Sequence, residues 1–136
     1  MTSRDGEILH ASAVCFEAKG VLILGASGTG KTTLALQLMA LGACLIADDR
    51  SFLTSDGIVM AAPNISDLVE VRGVGILHAP SSRSAALQMV VDLDRTETER
   101  LPPRRFYTDN VPLLYNLDAP SFPLAIKLHL LQGRFA

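Results

Sequence analysis

The stretch "GVLILGASGTGKTTLALQL", residues 20–38, decides the fold of this 136-residue chain. It opens with the unbroken apolar run 21–24, continues through a glycine-rich segment and closes with leucines at helical spacing. An apolar run without polar alternation predicts a strand that is buried on both faces, as in a parallel or mixed sheet. The order of strand, glycine-rich loop and helix therefore predicts an α/β fold with a mixed sheet and flanking helices.

The loop fits the phosphate-binding pattern G-x-x-x-x-G-K-[ST] through Gly25, Gly30, Lys31 and Thr32. Glycines let several backbone N–H groups converge on one anion, and the helix that begins near Lys31 adds the positive end of its dipole. In such loops the lysine reaches the β- and γ-phosphates of a nucleotide and the hydroxyl binds Mg²⁺. The predicted nucleotide-binding residues are Gly25, Ala26, Ser27, Gly28, Thr29, Gly30, Lys31, Thr32 and Thr33.

Two acidic residues follow the next apolar run, "ACLIADD", residues 43–49. Successive side chains of a strand face opposite ways, so Asp48 and Asp49 reach one site only if the strand ends there and the chain turns. Neighbouring carboxylates repel each other, which suits one of them to accept a proton. In the alternative interpretation, one acid binds Mg²⁺ and the other is solvated.

Three further segments carry secondary-structure patterns. Residues 51–63 predict a hairpin around Asp56 and Gly57, because Asp-Gly readily supplies the positive φ of a tight turn. Residues 85–94, "AALQMVVDLD", predict another strand. The end of the chain predicts an amphipathic helix, which we place away from the helix 31–41. Its packed face is expected to hold Leu124, Leu128 and Leu131.

The composition indicates a single well-packed domain, residues 1–136. A hydrophobic fraction of 49% and a mean hydropathy of +0.30 exclude a disordered chain, and the length is too short for two cores. No apolar run approaches the roughly 18–20 residues that span a bilayer. The opening residues lack a signal-peptide pattern, so we expect a cytoplasmic protein without membrane contact.

Charge and cysteine usage narrow the classes of partner. A net charge of -2 and a pI of about 5.8 argue against nucleic acid, whose binding proteins carry a clustered basic face. Cys15 and Cys44 lie in apolar surroundings without metal-ligand spacing, so we expect both to be buried thiols.

Motifs on both sides of the loop extend the pattern. His10 precedes "KGVLILGASGTGKT", "LIADD" follows it, and "VEVRGVGIL" occupies residues 69–77. In these motifs and their separations the chain resembles the catalytic domain of HPr kinase/phosphorylase, which phosphorylates a serine of the small phosphocarrier protein HPr. The resemblance covers residues 10–77 and implies a P-loop kinase core of the HPr kinase/phosphoenolpyruvate carboxykinase-like type.

The resemblance also implies catalytic roles. Lys31 would hold the β- and γ-phosphates of ATP. Asp49 would take the proton from the target serine as the γ-phosphoryl is transferred, with Asp48 beside it. His10 would lie near the phosphates and orient Asp49 or the transferred group.

By the same resemblance, Mg²⁺ would be bound by Thr32, where the family usually has serine, by Glu70 and by Asp48. The same base could run in reverse while inorganic phosphate attacks phosphoserine, and pyrophosphate is an alternative donor. Two acidic family positions are Ala26 and Thr33 here. The later family loop tied to dephosphorylation contains arginine and glycine, whereas residues 113–127 contain neither, which weakens the case for phosphorylase activity.

The chain resembles short family members that lack an N-terminal domain, for which the partner is HPr or its nitrogen-related paralogue. Family members form hexamers, so the resemblance implies a homo-oligomer, and the apolar C-terminal helix offers a surface for it.

Other functions remain open at this level. A small-molecule kinase would use Asp48 or Asp49 as base toward a metabolite and would need an arginine-bearing lid, for which "RLPPRR", residues 100–105, is the candidate. A non-catalytic nucleotide-binding sensor would not need the intact Lys31, Thr32 and paired aspartates. A GTPase is disfavoured because the chain lacks an Asn-Lys-x-Asp segment that reads guanine.

Overall fold

The computed structural model describes residues 5–62 and 67–136. Its strands are β1 (Gly6–Leu9), β2 (Ala11–Phe16), β3 (Lys19–Leu24), β4 (Cys44–Ala47), β5 (Ser51–Thr54), β6 (Ile58–Ala61), β7 (Leu68–Val71), β8 (Gly75–His78), β9 (Ser84–Thr96), β10 (Phe106–Thr108) and β11 (Val111–Asn116). Its helices are α1 (Lys31–Ala40) and α2 (Phe122–Gln132). No helix in these ranges is long and apolar enough to cross a membrane.

The core of the fold is a mixed sheet with strand order β1-β5-β6-β9-β3-β2-β4. Strand β3 lies inside the sheet between β9, to which it is parallel, and β2, to which it is antiparallel. Its residues from Val21 to Ile23 are fully buried, as the unbroken apolar run predicted. The predicted α/β class, mixed sheet and hairpin of β5 and β6 are confirmed.

Strand β9 is longer than the sequence pattern indicated. It continues past Asp94 to Thr96 because β11 pairs with its second half in parallel, from Leu113 opposite Val90 to Asn116 opposite Thr96. The β10–β11 hairpin was not predicted. This extension carries the end of β9 past the end of β3, so that Asp94 lies beside the start of the phosphate loop.

The two helices lie on the same face of the sheet. Residues of both belong to one buried cluster with β2, β3 and β9. The Lys127 ammonium of α2 donates to the carbonyl of Leu41 at the end of α1, at 2.7 Å. The prediction that the C-terminal helix lies away from α1 was therefore wrong: a free carbonyl end and a long cationic side chain dock the two helices together.

The packed face of α2 also differs from the prediction. Phe122, Ile126 and Leu130 are buried, whereas the predicted Leu124 and Leu128 are about half exposed, at 48% and 52%. The third predicted leucine, Leu131, is partly buried against the same cluster. Eight of the eleven positions of this helix are apolar, so two apolar stripes at i, i+4 spacing were available, and the one that contains Phe122 packs inward.

The cysteine prediction is confirmed for Cys15, which is 3% exposed, but Cys44 is only partly buried. Burial raises the pKa of the Cys15 thiol.

Strands β7 and β8 form a separate two-stranded hairpin. Val69 anchors it in the cluster beneath α1, and Gly73, at φ 87°, supplies the left-handed residue of its turn. The hairpin places Glu70 and Arg72 beside the phosphate loop.

Candidate active site

The phosphate loop leaves β3 at Leu24 and enters α1 at Lys31. Gly28 and Gly30 have φ of 84° and 99°, a conformation that glycine adopts without strain. At Gly25 a Cβ atom would clash with the Thr29 hydroxyl oxygen, which favours glycine at this position. That hydroxyl donates to the Ala26 carbonyl at 2.7 Å and closes the turn.

Lys31 is held inside the loop. Its side chain is 5% exposed, and the ammonium donates to the carbonyls of Gly25 and Ala26 at 2.7 and 3.2 Å. It lies 3.5 Å from Oδ1 of Asp49. The Lys31 ammonium and the N-terminus of α1 therefore both place positive charge at the mouth of the cleft.

Asp48 is fixed by three hydrogen bonds. Its Oδ1 accepts from the hydroxyls of Ser12 and Thr32 at 3.1 and 2.9 Å. Its Oδ2 accepts from the backbone N–H of Glu70 at 3.2 Å. One carboxylate thus joins β2, the start of α1 and the β7–β8 hairpin.

Asp49 has a different environment. Its φ of 66° lies in the left-handed region, and the turn brings the side chains of both acids to one site, the condition set out from the sequence. The carboxylate is 55% exposed, with Oδ1 2.8 Å from Nε2 of His10. The backbone N–H of Asp49 donates to the Ser12 hydroxyl at 3.1 Å, which fixes the turn.

An open cleft of about 390 Å³ connects these groups. Of the predicted site residues, those that line it are Ser27, Gly28, Gly30, Lys31, Thr32, Thr33, Asp48, Asp49 and Glu70. Gly25 and Ala26 supply carbonyls to the lysine, and His10 reaches the cleft through Asp49. Thr29 faces a neighbouring cavity.

The oxygen groups of the cleft fit Mg²⁺ that arrives with phosphate. In the described ranges, no three His, Cys, Asp or Glu side chains cluster as a metal cage. The Thr32 hydroxyl and the Asp48 carboxylate are hard oxygen ligands 2.9 Å apart, and Glu70 lines the same cleft. Mg²⁺ binds in this way, through one or two carboxylates plus phosphate oxygens and water.

The sequence reading missed two residues that shape the site. Ser12 is fully buried; its hydroxyl donates to the carboxylate of Asp48 and accepts from the backbone N–H of Asp49. Asp94 accepts from the backbone N–H of Ala26 at 3.0 Å and holds the start of the loop. The available signals were a lone hydroxyl in the apolar run of β2 and an acid at the end of an apolar strand.

Fold and cleft together define a P-loop α/β domain in which two adjacent aspartates face the phosphate loop. The family model described as the HPr Serine kinase C-terminal domain matches residues 4–126. The chain belongs to this family.

Named relatives agree with this assignment. The chain is 32% identical over 132 residues to the HPr kinase/phosphorylase of Lactobacillus acidophilus, covering 88% of this chain and 41% of that protein. It is 35% identical over 106 residues to the HPr kinase/phosphorylase of Stenotrophomonas maltophilia strain K279a, covering 70% of this chain and 34% of that protein. The chain thus spans less than half the length of these relatives.

A solved structure shares the fold. The Hpr(Ser) kinase/phosphatase from Coxiella burnetii superposes with a TM-score of 0.69 at 21% identity, covering 89% of this chain and 86% of that one. The predicted HPr kinase-type core is therefore confirmed.

Proposed function

We propose that residues 1–136 act as a catalytic domain that transfers the γ-phosphoryl group of ATP to a serine of HPr or its nitrogen-related paralogue in the cytoplasm. The observation that carries this proposal is the exposed Asp49 carboxylate, held 2.8 Å from His10 and 3.5 Å from the Lys31 ammonium at the mouth of the phosphate loop. A base in that position suits an acceptor hydroxyl that enters from solvent.

The loop and Lys31 position the nucleotide. Phosphoryl transfer needs mainly alignment and neutralisation of charge. Backbone N–H groups of the loop and the Lys31 ammonium would bind the β- and γ-phosphates. Thr32, Asp48 and Glu70 would hold Mg²⁺, which neutralises charge on the phosphate oxygens when bound.

Asp49 serves as the base in this proposal. As the serine Oγ bonds to the γ-phosphorus and the bond from phosphorus to the ADP oxygen breaks, the hydroxyl proton passes to the Asp49 carboxylate. His10 orients Oδ1 through its Nε2 contact. Asp48 is less suited to this step because three donors already occupy its oxygens.

The reverse reaction uses the same groups, with inorganic phosphate where the γ-phosphate lies. Residues 113–127 comprise the end of β11, the connecting segment and the start of α2, and they contain neither arginine nor glycine. We therefore propose the kinase direction as the main activity. The half-exposed Leu124 and Leu128 support a homo-oligomer, a hexamer by resemblance to the family.

A small-molecule kinase is less well supported. Two of its three candidate lid arginines are engaged elsewhere: Arg105 pairs with Glu97 and stacks 4.0 Å over the Tyr115 ring, and Arg104 donates to backbone carbonyls of the C-terminal segment. The relatives reported above carry the name HPr kinase/phosphorylase, not that of a metabolite kinase.

A matched set of variants tests the roles. Lys31→Ala should abolish ATP binding. Asp49→Asn should keep ATP affinity within about twofold yet lower the rate of transfer to HPr by about 100-fold or more, because the base is lost. Asp48→Asn serves as the comparison: because Asp48 is a proposed Mg²⁺ ligand, this variant should need a higher Mg²⁺ concentration for half-maximal transfer. Normal turnover by Asp49→Asn removes Asp49 as the base.

A further inference from the structure

A second cavity of about 240 Å³ lies beside the phosphate cleft. Gly30 and Thr33 line both spaces, so they form the boundary through which the two connect. Residues 117–119, at the start of the segment between β11 and α2, also line the second cavity. The roles proposed above leave this cavity unused.

The direction of the nucleotide follows from the proposed chemistry. The γ-phosphate must lie at the Asp49 side, where Lys31 and Thr32 face the cleft. The α-phosphate must then lie on the opposite side of the loop, toward the first turn of α1. Thr33 occupies that position and opens into the second cavity.

The lining of the cavity suits a planar ring with polar edges. Its inner wall is apolar, with Leu93 and Phe122 each less than 10% exposed. The polar residues Gln37, Asn116 and Asp118 also line it, and Gln37 and Asp118 are exposed to solvent. Such groups bind the N–H groups of a base or the hydroxyls of a ribose. The volume is below the roughly 300–1,000 Å³ of drug-sized pockets, which fits one part of a ligand whose phosphates lie outside it.

We propose that this second cavity is the nucleoside subsite, which receives the base and ribose of the donor nucleotide. The proposal rests on the proposed function, because the phosphate cleft fixes the direction of the ligand. Amide and carboxylate groups of the cavity lining select the nucleoside, while the loop binds the phosphates whatever the base.

The test compares ATP with inorganic tripolyphosphate, a phosphate chain without a nucleoside, by calorimetric titration in the presence of Mg²⁺. Ala119 lines the cavity, and its backbone groups close the turn before α2. Ala119→Trp should fill the space and lower ATP affinity by about tenfold or more. Its affinity for tripolyphosphate should stay unchanged. Ala40→Trp, at an exposed position on α1, is the control for added bulk.

Each outcome of these titrations either supports or overturns the nucleoside subsite. Equal losses for both ligands, or unchanged ATP affinity, overturn the subsite and leave the kinase proposal standing. Wild-type protein that binds ATP and tripolyphosphate equally tightly also overturns the subsite and leaves the kinase proposal standing. Wild-type protein that binds neither ligand overturns the proposed function and the subsite with it. If Ala119→Trp does not fold, Asn116→Ala takes its place, with an expected loss of about threefold to tenfold for ATP alone.

Discussion

Asp48 and Asp49 show how neighbouring residues of one type come to differ. Both acids could be predicted as site residues from their place after a buried strand. Their separate environments could not, because the hydroxyl of Ser12, the backbone of Glu70 and the ring of His10 come from other parts of the fold. Three donors hold Asp48, whereas Asp49 faces the open cleft.

Ser12 offers a test of this arrangement at the residue scale. Ser12→Ala removes one donor to Asp48 and the acceptor of the Asp49 N–H. We expect the free energy of unfolding to fall by about 1–3 kcal/mol, since buried polar groups lose their partner. Transfer should slow by about tenfold or more as Asp49 loses its position. Urea denaturation and single-turnover kinetics measure the two effects.

Thr54→Ala is the matched control for that variant. Thr54 is buried, and its hydroxyl accepts from the backbone N–H of Ile58 and donates to Asp56. It lies at the end of β5 that is farther along the chain from Asp48 and Asp49. It should lower stability while leaving the rate of transfer unchanged. A Ser12 variant that behaves in the same way would show that Ser12 is structural only.

At the scale of elements, local patterns predicted some parts and missed others for physical reasons. The phosphate loop, β3, β4 and the start and end of α1 follow from short-range signals: an apolar run, glycines at fixed spacing, and Gly42 at φ 105° after the helix. The β7–β8 hairpin is stabilised by contacts beneath α1 rather than by its own pattern, and its β8 strand is exposed throughout. The face of α2 was predicted wrongly for Leu124 and Leu128, because eight of the eleven positions of this helix are apolar and leave little contrast between its faces.

The corrected face of α2 makes a quantitative prediction. Ile126 is fully buried, so Ile126→Ala should lower the free energy of unfolding by about 2–5 kcal/mol. Leu124 is 48% exposed, so Leu124→Ala should change it by about 0.5 kcal/mol or less. Urea denaturation of dilute protein measures both. A larger loss of unfolding free energy for Leu124→Ala than for Ile126→Ala would support the face expected from the sequence instead.

At the scale of the whole molecule, the site is assembled from four places in the chain. The β1–β2 bend supplies His10, β3 supplies the loop, β4 supplies the aspartates and the β7–β8 hairpin supplies Glu70. The sequence motifs indicated each part, and the resemblance to a family joined them. The contacts between parts depend on strand order, which no local pattern contains.

The exposed leucines of α2 offer a surface for association between copies of the chain. Leu124 and Leu128 lie one helical turn apart and expose about half of their surface. If this stripe joins copies, the double variant Leu124→Glu with Leu128→Glu should convert the oligomer to monomer, because burying two carboxylates is costly. Light scattering coupled to gel filtration measures the mass. Leu101→Glu, in an exposed loop position, is the control. An unchanged mass in the double variant would place the contact elsewhere.

The most direct test of the central claim is phosphoryl transfer itself. Purified protein is incubated with Mg²⁺, ATP labelled in the γ-phosphate and HPr from the same cell, and the labelled residue is identified before and after a chase with inorganic phosphate. We predict label on a serine of HPr with wild-type protein, none with Asp49→Asn, and label that persists through the chase. No label on HPr from wild-type protein that still binds ATP would contradict the account.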